Sequence, residues 1–390
     1  MAKERVAILH QGCVPIYRKP FFERLAQAAG RDYVVFHGDP DPLSGVTAAP
    51  LPYSFPNYRV SNYFFRVLGR SFALQSAVFP ILFGHYRALV VGHEIKYVTS
   101  LLLILCFRLR RRPIILWGHG NARDLEGVTR SRTQKLVSRL VDELKTRMIR
   151  WATGYMAYSS SGIAYLEELG MPRDSITVLH NTIDMSEEIA AHAKWQGRDR
   201  TEIRTHLGIA PDAVVLTFLG RLLPLKRAEL LPAIAGGLRA EGLPVEVMIV
   251  GGGAGAEKLR AEFGDEAWFH MPGPVFDPDR LGKLMRASDA IVIPDYVGLA
   301  INHGFAHGLP TITMRSAIHG PEIEYLKSGA NGLILDGEEG LRDGLRQFAK
   351  SAALRATLAA GALASREQLS LEHMVKAFDG AVTRALERSR

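Results

Sequence analysis

Val214-Val-Leu-Thr-Phe-Leu-Gly-Arg-Leu-Leu-Pro-Leu-Lys-Arg-Ala-Glu229 is a strand-length apolar run, a Gly-Arg corner and a proline turn that leads into a helix. The run 214–219 does not alternate apolar with polar residues, which is the pattern of a strand covered on both faces. Such strands belong to parallel sheets, whose return connections are helices. Downstream the pattern continues: strand-like runs at 245–250, 268–270, 290–293, 311–314 and 332–335 are accompanied by helical stretches at 230–238, 257–263 and 279–287. Upstream it has already run once, through 6–9, 33–37, 88–91, 114–117, 154–158 and 176–179, with a helix at 20–28. The fold class is therefore α/β, with two doubly wound parallel sheets in tandem. Ligands are expected outside the carboxyl ends of the strands, in a cleft between the two domains.

Residues 185–205 are polar, charged and without strand character, which sets the boundary. The expected division is a first domain at 1–190, a linker at 191–208, a second domain at 209–346, and helices over the Ala-, Leu-, Glu- and Arg-rich tail 347–390. At 390 residues and 47% hydrophobic composition, the chain is long enough for two cores.

Charge is unevenly placed. The first 190 residues hold 24 basic and 16 acidic side chains and the rest hold 24 of each, so the whole excess of +8 sits in the first half. An anionic partner for that half follows, an anionic membrane surface among the candidates. No zinc-finger, RNP-like or basic-zipper pattern occurs, so nucleic acid is not expected. Cys13 and Cys106 form no metal-ligand spacing and no disulfide framework, which points to a reducing, cytoplasmic setting. The amino terminus runs straight into a strand with no signal-peptide pattern, and the longest apolar runs, 77–83 and 98–107, fall short of the roughly 20 residues that span a bilayer. The expected location is cytoplasmic, peripheral on the inner face of the membrane.

Several short segments carry candidate chemistry. Arg221 and Lys226, after the strand 214–219, form either a clamp for a diphosphate or a solvated basic turn. Ile249-Val-Gly-Gly-Gly-Ala-Gly-Ala256 fits a loose dinucleotide fingerprint, but Gly runs also make ordinary tight turns. His303 and His307 are spaced i, i+4 with no acidic residue close in sequence, a poor match to a zinc site; no metal is expected. His119, in Trp117-Gly-His-Gly-Asn-Ala-Arg-Asp124, stands on a Gly-flanked loop where an imidazole can hydrogen-bond a hydroxyl or phosphate. Gly12, Tyr17 and Arg18 follow the first strand and suit an acceptor or phosphate contact, or a plain surface loop. The aromatic and Arg-rich stretch 58–70 reads as a lipid-interface segment or an amphipathic helix packed on its own domain.

The order Gly220-Arg221, Lys226, Ile249-Val-Gly-Gly-Gly253, Pro272-Gly-Pro-Val275, Ala287-Ser-Asp-Ala290 and Pro294–Pro310 resembles the donor half of a family 4 glycosyltransferase of the GT-B fold. Tyr165-Leu-Glu-Glu-Leu-Gly-Met-Pro172 and Val178-Leu-His-Asn-Thr-Ile-Asp184 resemble the end of that family's first domain. The resemblance implies two Rossmann-like domains and a retaining transferase that takes a nucleotide-sugar donor, with no other cofactor. It implies that Arg221 and Lys226 hold the diphosphate, that Gly220 and Val275 line the donor site, and that the Gly298 and Leu299 amides meet sugar or phosphate. Aligned on Gly308-Leu-Pro310, the family's glutamate pair falls on Asp295, a shortened carboxylate facing the sugar, and on His303, which lacks the carboxylate that would meet the ribose. Counting back from Asn331 makes Glu324 the match for a later donor-site glutamate, and the resemblance implies that the helices of 347–390 cross back to the first domain.

The expected activity is hexosyl transfer to a saccharide or lipid-linked acceptor in envelope or exopolysaccharide synthesis, with Arg221, Lys226, His119 and Asp295 as the reacting site. A nucleotide-sugar epimerase and a non-catalytic sugar-nucleotide-binding protein stand as alternatives, the second because of His303.

Overall fold

The computed structural model describes residues 3–10, 12–28, 30–42, 46–67, 70–120 and 132–389. The chain divides into two units, one of residues 1–183 with 371–390 and one of residues 184–370.

The first unit contains β1 (Arg5–Leu9), α1 (Lys19–Ala28), β2 (Asp32–His37), β3 (Asn57–Arg59), β4 (Asn62–Val67), β5 (Arg70–Gln75), α2 (Val78–Phe83), β6 (Ala88–Gly92), α3 (Val98–Leu109), β7 (Ile114–Gly118), α4 (Arg132–Trp151), β8 (Gly154–Ala157), α5 (Ile163–Glu168) and β9 (Ile176–Val178). Seven parallel strands are ordered β3-β2-β1-β6-β7-β8-β9. The order reverses between β1 and β6, so their carboxyl ends open a crevice there.

The second unit contains α6 (Ser186–Gln196), α7 (Arg200–His206), β10 (Val214–Leu219), α8 (Leu230–Ala240), β11 (Val245–Val250), α9 (Ala256–Phe263), β12 (Phe269–His270), α10 (Pro278–Ala287), β13 (Ala290–Val292), α11 (Ala300–Ala306), β14 (Thr311–Met314), β15 (Gly332–Leu335), α12 (Gly337–Lys350) and α13 (Ala352–Ser365). Its parallel sheet is ordered β12-β11-β10-β13-β14-β15, with the reversal between β10 and β13. Every residue of β10 and β11 is buried, Glu246 included, as in strands covered on both faces.

Three expectations change. Residues 191–208 are not a linker: α6 and α7 are helices of the second unit, and the division falls at 183/184. Their sequence hides this because α6 packs through a close approach rather than an apolar stripe. A Cβ on Gly282 of α10 would stand 2.9 Å from the Ala191 Cβ, and Lys194 pairs with Asp279 at 2.6 Å. The α7 side chains Arg200 and Arg204 both reach Asp289, whose Oδ2 also accepts from the Val215 N–H at the start of β10.

The tail also divides. α12 and α13 stay with the second unit, and only α14 (Leu371–Glu387) belongs to the first. Its Phe378 ring sits 5.3 Å from both Phe21 and Trp117, and Leu371, Met374, Val375 and Val382 complete that core.

Finally, 58–70 is not a helix. β4 and β5 form an antiparallel hairpin in which Tyr63 opposes Leu74 and Phe65 opposes Phe72. Consecutive aromatics favour a pleated surface over a helix, and 62–65 alternate half-buried with exposed, as a strand does.

Candidate functional site

In the second unit, the loops after β10, β11 and β13 meet. Gly220 has φ 129°, and a Cβ on Gly251 would stand 1.9 Å from the Gly220 carbonyl oxygen. The Gly220 N–H donates to Val250 O at 3.0 Å, the Leu222 N–H to Gly252 O at 2.9 Å, and the Gly251 N–H to Gly273 O at 3.1 Å. The Gly251–Gly253 run is therefore spent on backbone packing, the plain-turn reading of that segment. It lets the Arg221 loop lie against the next strand's loop.

Lys226 ends a 3₁₀ turn that starts at Pro224. Its Nζ would be 3.0 Å from a Cβ on Gly220, so the missing side chain makes its room. Lys226 is half-buried, and burial first, then the nearby Arg221 charge, pulls its ammonium down to about 8. Arg221 is exposed. A cation held at such cost gains from an anion placed beside it.

Asp295 follows β13, and its N–H donates to Lys226 O at 3.3 Å, tying the two loops together. Its Oδ1 accepts from the Tyr296 N–H at 2.7 Å, and Tyr296 has φ 53°. The Val297 N–H donates to His319 Nδ1 at 3.0 Å, which fixes His319 Nε2 as the donor to Met314 O at 2.8 Å. Burial keeps His319 neutral, as that bonding requires. The Gly320 N–H holds Val297 O at 2.7 Å, and buried Glu322 lies at ordinary contact distance from Gly298, where a Cβ would be 3.9 Å from Oε2. His319 and the Gly320 N–H thus hold Val297, at the entry to the Gly298-Leu299 turn, while Glu324 sits part-buried in the same 3₁₀ segment as Glu322. Val275 is half-buried in the loop after β12, beside Phe276, which is almost fully exposed.

His303 does have an acidic neighbour. Glu188 comes from α6, 115 residues earlier, and its Oε1 lies 2.6 Å from His303 Nδ1, while Oε2 is 3.6 Å from His307 Nε2. Burial alone would raise the Glu188 carboxyl, but the charge and hydrogen bonds of His303, with those of His307, more than offset it and hold it at about 2. Sequence offered no signal for this, since α6 has no apolar stripe to fix its facing. Among the described residues no cluster of His, Cys, Asp or Glu forms a metal site.

The first unit has its own site. At the carboxyl ends of β1, β6 and β7 lies a cavity of about 610 Å³, lined by residues that include Tyr17, Arg18, Glu94, Lys145, His119 and Asn181. Tyr17, Arg18 and His119 line this one cavity. Gly12 is not among the lining residues: its N–H donates to Tyr97 Oη at 2.9 Å and its carbonyl accepts from Asn62 Nδ2 at 2.8 Å. Residues 121–124 of the His119 segment lie outside the described residues.

His10 stacks on Trp117 with ring centroids 3.9 Å apart, and its Nε2 pairs with Tyr158 Oη at 2.8 Å. Burial, then the charges of Arg18 and His119, keep His10 neutral. The Gly120 N–H donates to Tyr155 Oη at 3.0 Å, and that hydroxyl lies 2.9 Å from His93 Nδ1. His93 Nε2 faces Lys145 O at 3.3 Å, and burial lowers His93 to about 4. Sequence reading missed His93, Glu94, Lys96 and Lys145, although His93-Glu-Ile-Lys96 directly after an apolar strand was an available signal.

Residues 213–351 match the family model described as glycosyl transferases group 1. The match covers the unit whose strand-end loops carry Arg221, Lys226 and Asp295. A D-inositol 3-phosphate glycosyltransferase of Nocardia farcinica is 32% identical over 219 residues, 52% of this chain and 45% of that protein. Its counterpart in Rhodococcus opacus is 32% identical over 208 residues, 50% of this chain and 46% of that protein. The chain thus spans about half the length of the curated relatives it matches. Over nearly the whole chain it is similar to two solved structures. Sucrose-phosphate synthase from Thermosynechococcus elongatus has a TM-score of 0.69 at 17% identity, with 100% of both chains covered. Anabaena Alr3699/HepE in complex with UDP has a TM-score of 0.66 at 15% identity, with 97% of this chain and 99% of that one covered. The fold is GT-B, built of two Rossmann-like units.

Proposed function

We propose that the chain is a retaining glycosyltransferase that moves a sugar from a nucleoside-diphosphate sugar to a saccharide or lipid-linked acceptor held by the first unit. The observation that carries this reading is Lys226, half-buried against Gly220 at the switch point of the second sheet with Arg221 beside it. A departing nucleoside diphosphate accumulates negative charge, and cations already in place stabilise it without reorganisation. The bond from the anomeric carbon to the phosphate oxygen breaks, and the acceptor oxygen bonds to the same face. The acceptor proton passes to the leaving phosphate, so no dedicated base is assigned. Asp295 faces the sugar, His119 contacts a hydroxyl or phosphate, and Val275, Gly298, Leu299 and His303 line the donor. That Alr3699/HepE is in complex with UDP supports a nucleotide donor.

The same reading sets the first unit against an anionic membrane surface in envelope glycan synthesis. Phe79 and Phe83 on α2 are 74% and 68% exposed and stacked on each other, and Leu102, Leu105 and Leu109 form an exposed stripe on α3. Arg108, Arg110 and Arg111 stand at the end of that stripe, a pattern that suits a lipid interface. No helix among the described residues is long and apolar enough to cross a membrane.

The test is calorimetric titration with a panel of nucleoside diphosphates, followed by turnover of the matching sugar donors. Binding and turnover lost in Lys226→Ala and Arg221→Ala support the assignment; activity unchanged in both removes it.

A further inference from the structure

Arg18 is 2% exposed, and no carboxylate among the described residues pairs with it. Its guanidinium donates to the neutral Asn181 Oδ1 at 2.6 Å and contacts Met374 Sδ at 3.4 Å. It also lies 5.3 Å from the centre of the Trp117 ring and 5.2 Å from that of Tyr17. Ring faces and an amide offset part of the cost of a buried cation, but an opposite charge is what normally balances one. Arg18 and Asn181 both line the first-unit cavity, so the missing charge has a place to come from.

The same cavity also presents a carboxylate. Glu94, just beyond β6, lines it with an exposed side chain that makes no hydrogen bond to a described residue, while Lys96 nearby is engaged by Asp41. A carboxylate open to a cavity accepts hydrogen bonds from hydroxyls, while a buried guanidinium clamps an anion in a two-pronged grip. About 610 Å³ is room for a monosaccharide-sized group with a charged substituent.

We infer that this cavity binds an acceptor that carries an anionic group, phosphate or carboxylate, clamped by Arg18 and Asn181, with Glu94 receiving one of its hydroxyls. The inference rests on the transferase reading above and names the acceptor class for it. Arg18 and Glu94 come from the loops after β1 and β6, the pair of strands at the switch point of this sheet, and so bracket the ligand from its two sides.

The experiment is calorimetric titration of the full chain, without donor, with glucose, glucose 6-phosphate and glucuronate, three probes that share a ring and differ in charge. Glucose 6-phosphate or glucuronate is expected to bind roughly ten-fold or more tightly than glucose, the scale of one charge-assisted hydrogen bond. Whichever anion is preferred identifies the group. Arg18→Gln should reduce the anionic sugars to the level of glucose while leaving UDP binding unchanged. Glu94→Gln should weaken all three sugars alike. Because Arg18 is packed among aromatic rings, the melting temperature of Arg18→Gln is measured alongside. If that variant does not fold, Asn181→Ala must show the same selective loss for the anions. Equal binding of glucose and both anions, no binding of either anion at millimolar concentration, or an anion preference that survives these substitutions overturns the inference. Loss of UDP binding in Arg18→Gln also overturns it, by assigning Arg18 to the donor. Donor turnover that depends on Lys226 is read separately, so a failed acceptor assignment is distinguishable from a failed transferase reading.

Discussion

In the second unit, Gly220, Arg221, Lys226, Asp295, Gly298 and Leu299 come from short segments at 220–226 and 294–299, and the relative placement of those segments is set by backbone. Gly220 abuts Gly251, and the Asp295 N–H holds Lys226 O. In the first unit, the cavity draws single side chains from segments spread between His10 and Asn181, and its frame is made of side-chain contacts such as His10 on Trp117 and Tyr155 against His93. A site framed by backbone leaves glycines, prolines and fixed spacings in the sequence. A site framed by side chains leaves only residue types that any core or surface could hold. This difference also accounts for where the family match lies, at 213–351.

The strongest attack on the comparison is Lys226→Ala. If the second unit supplies the charge for the leaving group, donor turnover should fall by about 10²–10³-fold, the scale of removing one preorganised electrostatic group. Its pH dependence follows from the depressed ammonium. Lys226 is charged below about 8 and neutral above it. Affinity for the diphosphate should therefore be full on the acid side and decline as pH rises through about 8. Lys226→Arg, which keeps its charge, should lose that alkaline decline. A flat profile from pH 7 to 9 in the wild-type chain would remove Lys226 from the donor site.

The backbone frame itself is tested by Gly251→Ala. The added methyl would overlap the Gly220 carbonyl oxygen, with no flexible side chain to give way. Overpacking of this kind costs about 1–3 kcal/mol and sometimes more. Urea denaturation should show that loss together with weakened nucleotide binding, whereas Gly237→Ala, where a Cβ meets nothing within 4 Å, should not destabilise. Equal effects would mean that the Gly run is not what holds the two loops together.

These contrasts define what the sequence made legible. Two parallel sheets, all their strands except the exposed edge strand β3, and the Arg221–Lys226 turn were readable, because buried parallel strands are apolar on both faces and glycine marks the close approaches. α6 and α7 were not, since Arg200 and Arg204 anchor through Asp289 and α6 packs through Gly282, neither of which leaves an apolar stripe. The hairpin at 62–75 was hidden for the opposite reason: its aromatics looked like one face of a helix, and only the pairing partner 70–75 shows their period of two. Arg18 was readable as a candidate but not as a buried cation, because Asn181 and Met374 join it from 163 and 356 residues away.

Glu188 sharpens the comparison from the other side, as a side-chain contact inside the backbone-framed unit. Glu188→Gln removes the charge from its bond to His303 and should cost about 1–3 kcal/mol. The sign of the pH effect follows from a carboxyl held at about 2 in the folded chain and near the ordinary value of about 4.3 when unfolded. Its contribution is fully present above about 4.3 and is lost as pH falls from there toward 2. Chemical denaturation at pH 7, 4 and 3 should show the wild-type chain converging on Glu188→Gln as acid is added. If the two stay parallel, the pair does not stabilise the second unit.

The smallest expected effect on stability falls on the exposed apolar stripe of the first unit. Phe79, Phe83 and Leu109 leave most of their surface in water, so replacing all three by Ser removes little buried area. Each change should shift stability by no more than about 0.5 kcal/mol. On the proposed membrane reading this stripe would face lipid, and the adjacent Arg108, Arg110 and Arg111 would supply charge for anionic headgroups. Sedimentation with vesicles containing phosphatidylglycerol should therefore be strong at low salt for the wild-type chain, weaker at high salt, and largely lost in the triple Ser variant with its fold intact. Binding that ignores both lipid charge and the three substitutions would show that this face of the first unit is not turned to a membrane.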